Sequence, residues 1–143
     1  MVDKTLILRK LAELEEYLAQ VKEYRDIRLE QYLKDWKVQR IVERTLQMML
    51  EICADIAGHI ISDRGYRIPT SYVDTFRVLY EKDIFDKELF ETMQRMVKFR
   101  NIVVHHYNKV DSEIVVGILG KNLDDFLIFK DAILKTLEQE KQA

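Results

Sequence analysis

The sequence predicts an all-α fold: an up-and-down bundle of about five helices forming a single domain over residues 1–143, close to the commonest domain size. Three observations predict it. Only four glycines and one proline occur in 143 residues, too few for the turns of a strand-rich fold. Apolar residues recur by threes and fours along the whole chain, the period of helices that bury one face. Hydrophobic residues make up 48% and charged residues 34%, which suits one core under a solvated surface. No internal repeat or low-complexity linker marks a domain boundary.

The first helix runs from about residue 4 to the mid-20s, because Ile7, Leu11, Leu14, Leu18 and Val21 share one face. A short helical piece follows around Leu29 to Asp35. The longest helix starts near Trp36. Its seam is Val42, Leu46, Met49, Cys53, Ile56 and Ile60, widened by Met48, Leu50, Ile52 and Ile61, so it is central or faces two neighbours. Gly65 and Pro69 in "SDRGYRIPTS" end it. Ser71 with Asp74 resembles a capping box ahead of the stripe Tyr72, Phe76 and Leu79, which reads as core. After the connection "EKDIFD", Asp86 caps the next helix. Asp111 or Ser112 caps a final helix reaching towards Gln139, with Phe126, Phe129, Ile133 and Leu137 inside and Gly117 and Gly120 loosening its first turns.

Composition narrows the function. The formal net charge is -2, from 23 basic and 25 acidic residues, which argues against a constitutive, salt-resistant grip on bulk nucleic acid. Local basic patches remain open. The lone Cys53 has no partner for a disulfide or a metal, which fits a reducing compartment. No apolar run approaches the ~18 residues of a membrane span, and "MVDKTLILRKLAELEEYL" is too charged for a secretory signal. The expectation is a cytoplasmic protein with no membrane partner. There is no glycine-rich phosphate loop and no serine or cysteine triad arrangement. No cluster has metal-ligand spacing, His59 being alone on its helix, so neither cofactor nor metal is expected.

Chemistry concentrates in "KFRNIVVHHYNKV", Lys98 to Val110. Phe90, Met93 and Val97 form an apolar row that continues to Arg100, Val104 and Tyr107. An arginine therefore stands where a core residue is expected, and its charge must find an anion, carbonyls or solvent in a cleft. Another row reads Glu91, Arg95, Lys98, Ile102, His105, with Asn101 one turn before His105. His106 follows Met96, Phe99 and Val103 on a more apolar side and reads as a packing or interface residue. Arg100 and His105 diverge by about 140° on a straight helix. A bend combined with a second subunit brings them together, so a homodimer with the cleft on its two-fold axis is expected. By spacing alone, Arg100 and His105 are ordinary helix-end charges and Tyr107 an edge aromatic.

The run Arg100, four residues, His105, one residue, Tyr107 resembles the R-x4-H-x-Y signature of HEPN domains (higher-eukaryote and prokaryote nucleotide-binding domains). More narrowly, the chain resembles HepT-type toxins paired with minimal nucleotidyltransferase antitoxins, in a type VII-like toxin–antitoxin system. "FRNIVVHHY", the helical layout and the length all agree, and Arg100, Asn101, His105 and Tyr107 show no departure from the pattern. The resemblance implies a helical bundle that dimerises with its motifs facing each other. It also implies a metal-independent endoribonuclease, and an antitoxin that transfers AMP to Tyr107 and blocks it.

In that chemistry the ribose 2′-hydroxyl attacks the adjacent phosphate. His105 serves as base, or two copies share base and acid, since imidazole titrates near neutrality. Arg100 holds the phosphate and stabilises transition-state charge, Asn101 orients His105 or donates to phosphate, and Tyr107 lines the cleft. Arg95, Lys98 and Lys109 are solvated-face charges that supply possible RNA contacts. Two alternatives stand beside this reading. One is a non-catalytic nucleotide-binding or regulatory partner of a nucleotidyltransferase, with Arg100 gripping nucleotide phosphate. The other is a plain dimerisation scaffold.

Overall fold

The computed structural model describes residues 2–142, so the expected domain of 1–143 begins and ends one residue outside it. Seven α-helices appear among the described residues, and no strand. They are α1 (Lys4–Lys22), α2 (Leu29–Leu33), α3 (Trp36–Asp63), α4 (Tyr72–Glu81), α5 (Lys87–His105), α6 (Ser112–Gly117) and α7 (Asp125–Gln142). Five of them, α1, α3, α4, α5 and α7, make the bundle; α2 and α6 are short and pack on each other.

Side-chain caps set the helix starts. Asp3, Asp35, Ser71 and Asp86 each accept from a backbone N–H three residues on, at 2.8–3.1 Å. Each such cap contributes about 1 kcal/mol. The stop after α3 is a Schellman turn. Gly65 adopts φ 66°, Tyr66 N–H donates to Ile61 O at 2.9 Å, and Gly65 N–H donates to Ser62 O.

Helix α3 is central, packing on α1, α4 and α5. Its seam from Val42 to Ile60 is buried throughout, as are the α1 face and Phe126, Phe129, Ile133 and Leu137 of α7. Two expectations need correction. The final helix is not continuous: Asp111 caps α6, a π-helical turn spans Ile118–Asn122, and α7 restarts at Asp125. The wider turn absorbs an extra residue and keeps Val115, Leu119 and Leu123 on the core side. Tyr72 is not core either; 36% of it is exposed, while Phe76 and Leu79 behind it are fully buried.

Candidate active site

Helix α5 changes character along its length. Leu89, Met93 and Val97 are buried, and Phe90 stacks on Tyr80 of α4 at 5.2 Å between ring centroids. One turn past Val97 the row reaches Arg100 and leaves the core. Val104 is half-buried, His105 ends the helix in solvent, and Tyr107 is 70% exposed. His106 closes α5 by donating its N–H to Ile102 O at 2.8 Å. Its φ of -139° and ψ of 46° turn the chain into a 3-10 turn over Tyr107–Lys109. The polar end of α5 is thus a real helix terminus carrying consecutive exposed functional groups.

Arg100 finds its anion on α3. Its Nε and Nη2 both donate to Glu51 Oε1, at 3.1 and 2.9 Å, and Nη1 donates to Asn101 Oδ1 at 3.2 Å. The guanidinium carbon sits 4.8 Å from the ring centroid of Tyr72, the first residue of α4. Glu51 also accepts from Gln47, one turn earlier on α3, at 3.1 Å. Burial pushes the Glu51 carboxyl up, but the hydrogen bonds from Gln47 and Arg100 and the arginine charge outweigh it. The carboxyl is held below its ordinary value.

His105 lies on the other side of α5. With Lys98, Asn101, Ile102 and His106 it lines an open groove of about 470 Å³ whose far wall includes Val73 of α4. Asn101 is the link between the two sides, since it borders this groove while accepting from Arg100. Within one chain the guanidinium and the imidazole therefore face different ways, as the helical angle requires. His106 is exposed rather than packed. Arg95 is apart from Lys98: it donates to Thr92 at 3.1 Å and borders an apolar crevice of about 240 Å³ between α3, α5 and α6. Lys109 is exposed on the 3-10 turn. His59 faces Asp55 at 3.7 Å.

Two residues of this site escape sequence reasoning. Glu51 is one of several polar residues on α3, and only the packing of α5 selects it. Tyr72 falls on an apolar period that made it look like core. The one available signal is that Arg100 interrupts an apolar row and so demands a carboxylate from elsewhere. No helix among the described residues is long and apolar enough to cross a membrane.

The family model described as "Ribonuclease HepT-like" matches residues 14–133. The chain is 36% identical to the mRNA nuclease HepT of Shewanella oneidensis over 103 residues, 72% of this chain and 77% of that protein. It is 28% identical to the tRNA nuclease HepT of Aphanizomenon flos-aquae over 142 residues, 97% of each. The fold is similar to that of the tri-AMPylated Shewanella oneidensis HEPN toxin solved in complex with an MNT antitoxin. The TM-score there is 0.85 at 31% identity, covering 94% of this chain and 99% of that one.

Proposed function

Because the chain belongs to the HepT-like ribonuclease family, we propose that it is the ribonuclease toxin of a toxin–antitoxin pair, with a minimal nucleotidyltransferase as its antitoxin. The observation that carries this is the end of α5. There an arginine with donors to spare, an asparagine, a histidine and an exposed tyrosine follow one another where the helix leaves the core.

RNA is the substrate and the cytoplasm the place of action. His105 takes the proton of a ribose 2′-hydroxyl, which attacks the adjacent phosphate; the 5′-oxygen leaves and takes a proton from the second imidazole. Arg100 holds the non-bridging oxygens and meets the charge that develops on them. Asn101 borders both side chains and keeps their relation fixed. Two copies of the chain pair around a two-fold axis, so that the imidazole of one supplements the guanidinium of the other. The reaction needs no metal. Lys98 and Lys109 add positive potential near the cleft, and Arg95 does so from further away.

The antitoxin acts on Tyr107. The phenol oxygen attacks the α-phosphate of ATP, pyrophosphate leaves, and AMP stays on the tyrosine. Its exposure makes it accessible to another protein's active site. The added anion fills the space RNA needs and competes for Arg100.

The test is an RNA-cleavage assay on wild-type, Arg100→Ala and His105→Ala protein with chelator present. Cleavage by wild type alone supports the assignment. Equal cleavage by all three, or cleavage abolished by the chelator, contradicts it. Intact mass after co-expression with the antitoxin reads the modification, as AMP-sized increments mapping to Tyr107.

A further inference from the structure

Arg100 is held on two sides by residues that carry no role in the chemistry above. We infer that Glu51 and Tyr72 are positioning residues, which fix the Arg100 guanidinium so that its unused N–H groups present one prepared edge to phosphate. This rests on the proposed ribonuclease reading and adds to it the residues on which the arginine depends.

The geometry supports it step by step. A guanidinium has five N–H donors in a planar fork. Nε and one N–H of Nη2 converge on a single oxygen, Glu51 Oε1, and one N–H of Nη1 goes to Asn101. Among the described residues, one N–H on Nη1 and one on Nη2 remain for a ligand. The guanidinium carbon lies over the Tyr72 ring, 4.8 Å from its centroid, a contact that limits rotation about the last side-chain bonds. Both holders are themselves held. Glu51 stands in the middle of the longest helix and is tied to Gln47. Tyr72 opens α4, whose start is fixed by the Ser71 cap and by Asp74, which accepts from Thr70 N–H and from both terminal nitrogens of Arg67.

A carboxylate beside a phosphate-binding arginine has a second possible meaning, that of an anion RNA must displace. The contact argues for positioning. Glu51 engages the Nε side of the fork, and a phosphate can take the remaining donors without evicting it. A guanidinium fixed this way loses less side-chain freedom when phosphate arrives.

The test uses the full-length protein with three readouts. Cleavage by Glu51→Ala and Tyr72→Ala is expected to fall by about 10- to 100-fold, the scale of misplacing a catalytic group by an ångström. Tyr72→Phe, which keeps the ring, is expected to retain the wild-type rate. Affinity for a 2′-O-methyl RNA, which cannot be cleaved, should drop in Glu51→Ala but show no further drop when the substitution is added to Arg100→Ala. The Nε–H resonance of Arg100 should be visible in wild type and lost to solvent exchange in Glu51→Ala. Faster cleavage or tighter RNA binding by Glu51→Ala would identify a competing anion and overturn the inference. So would an equal affinity loss in the Arg100→Ala background, or an unchanged Nε–H signal. Absence of cleavage by wild type with an Nε–H signal that still depends on Glu51 would sink the ribonuclease reading and leave the holder standing.

Discussion

Arg64 and Arg100 look alike by burial and ion pairing, and differ in what they leave unused. Their side chains are 16% and 17% exposed, and each meets a glutamate at 2.8 or 2.9 Å. Arg64 makes five hydrogen bonds, to Glu140, Thr136 and Tyr66, one for each of its five N–H groups. It ties the end of α3 to α7 and has nothing left to offer. Arg100 makes three, two of them to one oxygen. The lesson is that a half-buried arginine reads as structure when its donors are spent and as a site when some are kept back.

The largest effect should come from exchanging the roles in experiment. Arg100→Ala or His105→Ala is expected to lower RNA cleavage at least 100-fold, the lower end of what a positioned acid–base group contributes. The melting temperature should move by no more than a few degrees. Arg64→Ala should do the reverse. Leaving Glu140 and Thr136 without their partner costs about 2 kcal/mol, seen as a lower denaturant midpoint, with cleavage per folded molecule intact. Were Arg64→Ala to abolish cleavage at unchanged stability, the division between spent and spare donors would be wrong.

Tyr107 sharpens the contrast from the other direction, because its ring is exposed and its hydroxyl forms no hydrogen bond among the described residues. Tyr107→Phe is expected to cleave RNA within about threefold of wild type, as a surface change away from packed features should. It should gain no AMP mass when co-expressed with the antitoxin, and cleavage should then persist in the antitoxin's presence.

How much of this was legible beforehand follows the same line. Regular burial was readable. The seam Val42 to Ile60 and the face Ile7 to Val21 obey a period that local sequence fixes, and both are buried as expected. The chain breaks were partly readable: Gly65 and the caps Asp86 and Asp111 announce themselves, but the π-turn at Ile118–Asn122 does not, since it answers to which side Leu119 and Leu123 must face. At the site, Arg100 stood out because it interrupts a row, and the R-x4-H-x-Y spacing supplied His105 and Tyr107. Glu51 was hidden because a carboxylate 49 positions away becomes a partner only through packing of α3 on α5. Tyr72 shares the period of Phe76 and Leu79 without sharing their burial, because a period marks a face of a helix, not what lies opposite it.

Arg67 lies between the two extremes, with four donor contacts spread over two carboxylates, Asp74 and Glu81. The Arg67 guanidinium, then the Thr70 N–H, hold the Asp74 carboxyl well below its ordinary value. A carboxylate depressed in the folded state stabilises fully above its unfolded pKa of about 3.9 and loses that contribution as pH falls through the lower, folded value. Wild type should therefore lose stability steadily below about pH 4. Asp74→Asn should be less stable at neutral pH and flatter across the acid range, as read by urea midpoints. Matching acid slopes in the two proteins would remove Asp74 from the account and, with it, the firm seat proposed for Tyr72.

The smallest effect concerns charges that have no ion-pair partner among the described residues. Lys98 borders the His105 groove and Lys109 the turn beyond it, and neither forms an ion pair among the described residues. If they serve RNA, they do so by long-range attraction and counterion release, which salt reports directly. Each phosphate contact on a single strand adds about 0.7 to the slope of log affinity against log salt. Lys98→Ala should lower that slope by about this amount and weaken binding a few-fold at moderate salt, leaving the cleavage rate at saturating RNA unchanged. Arg95→Ala is the internal control, because its side chain turns to Thr92 and the apolar crevice. Its slope should stay near wild type. A larger loss from Arg95 than from Lys98 would mean that RNA runs along the crevice between α3, α5 and α6, and that spare charge on this surface is placed differently from the spare donors of Arg100.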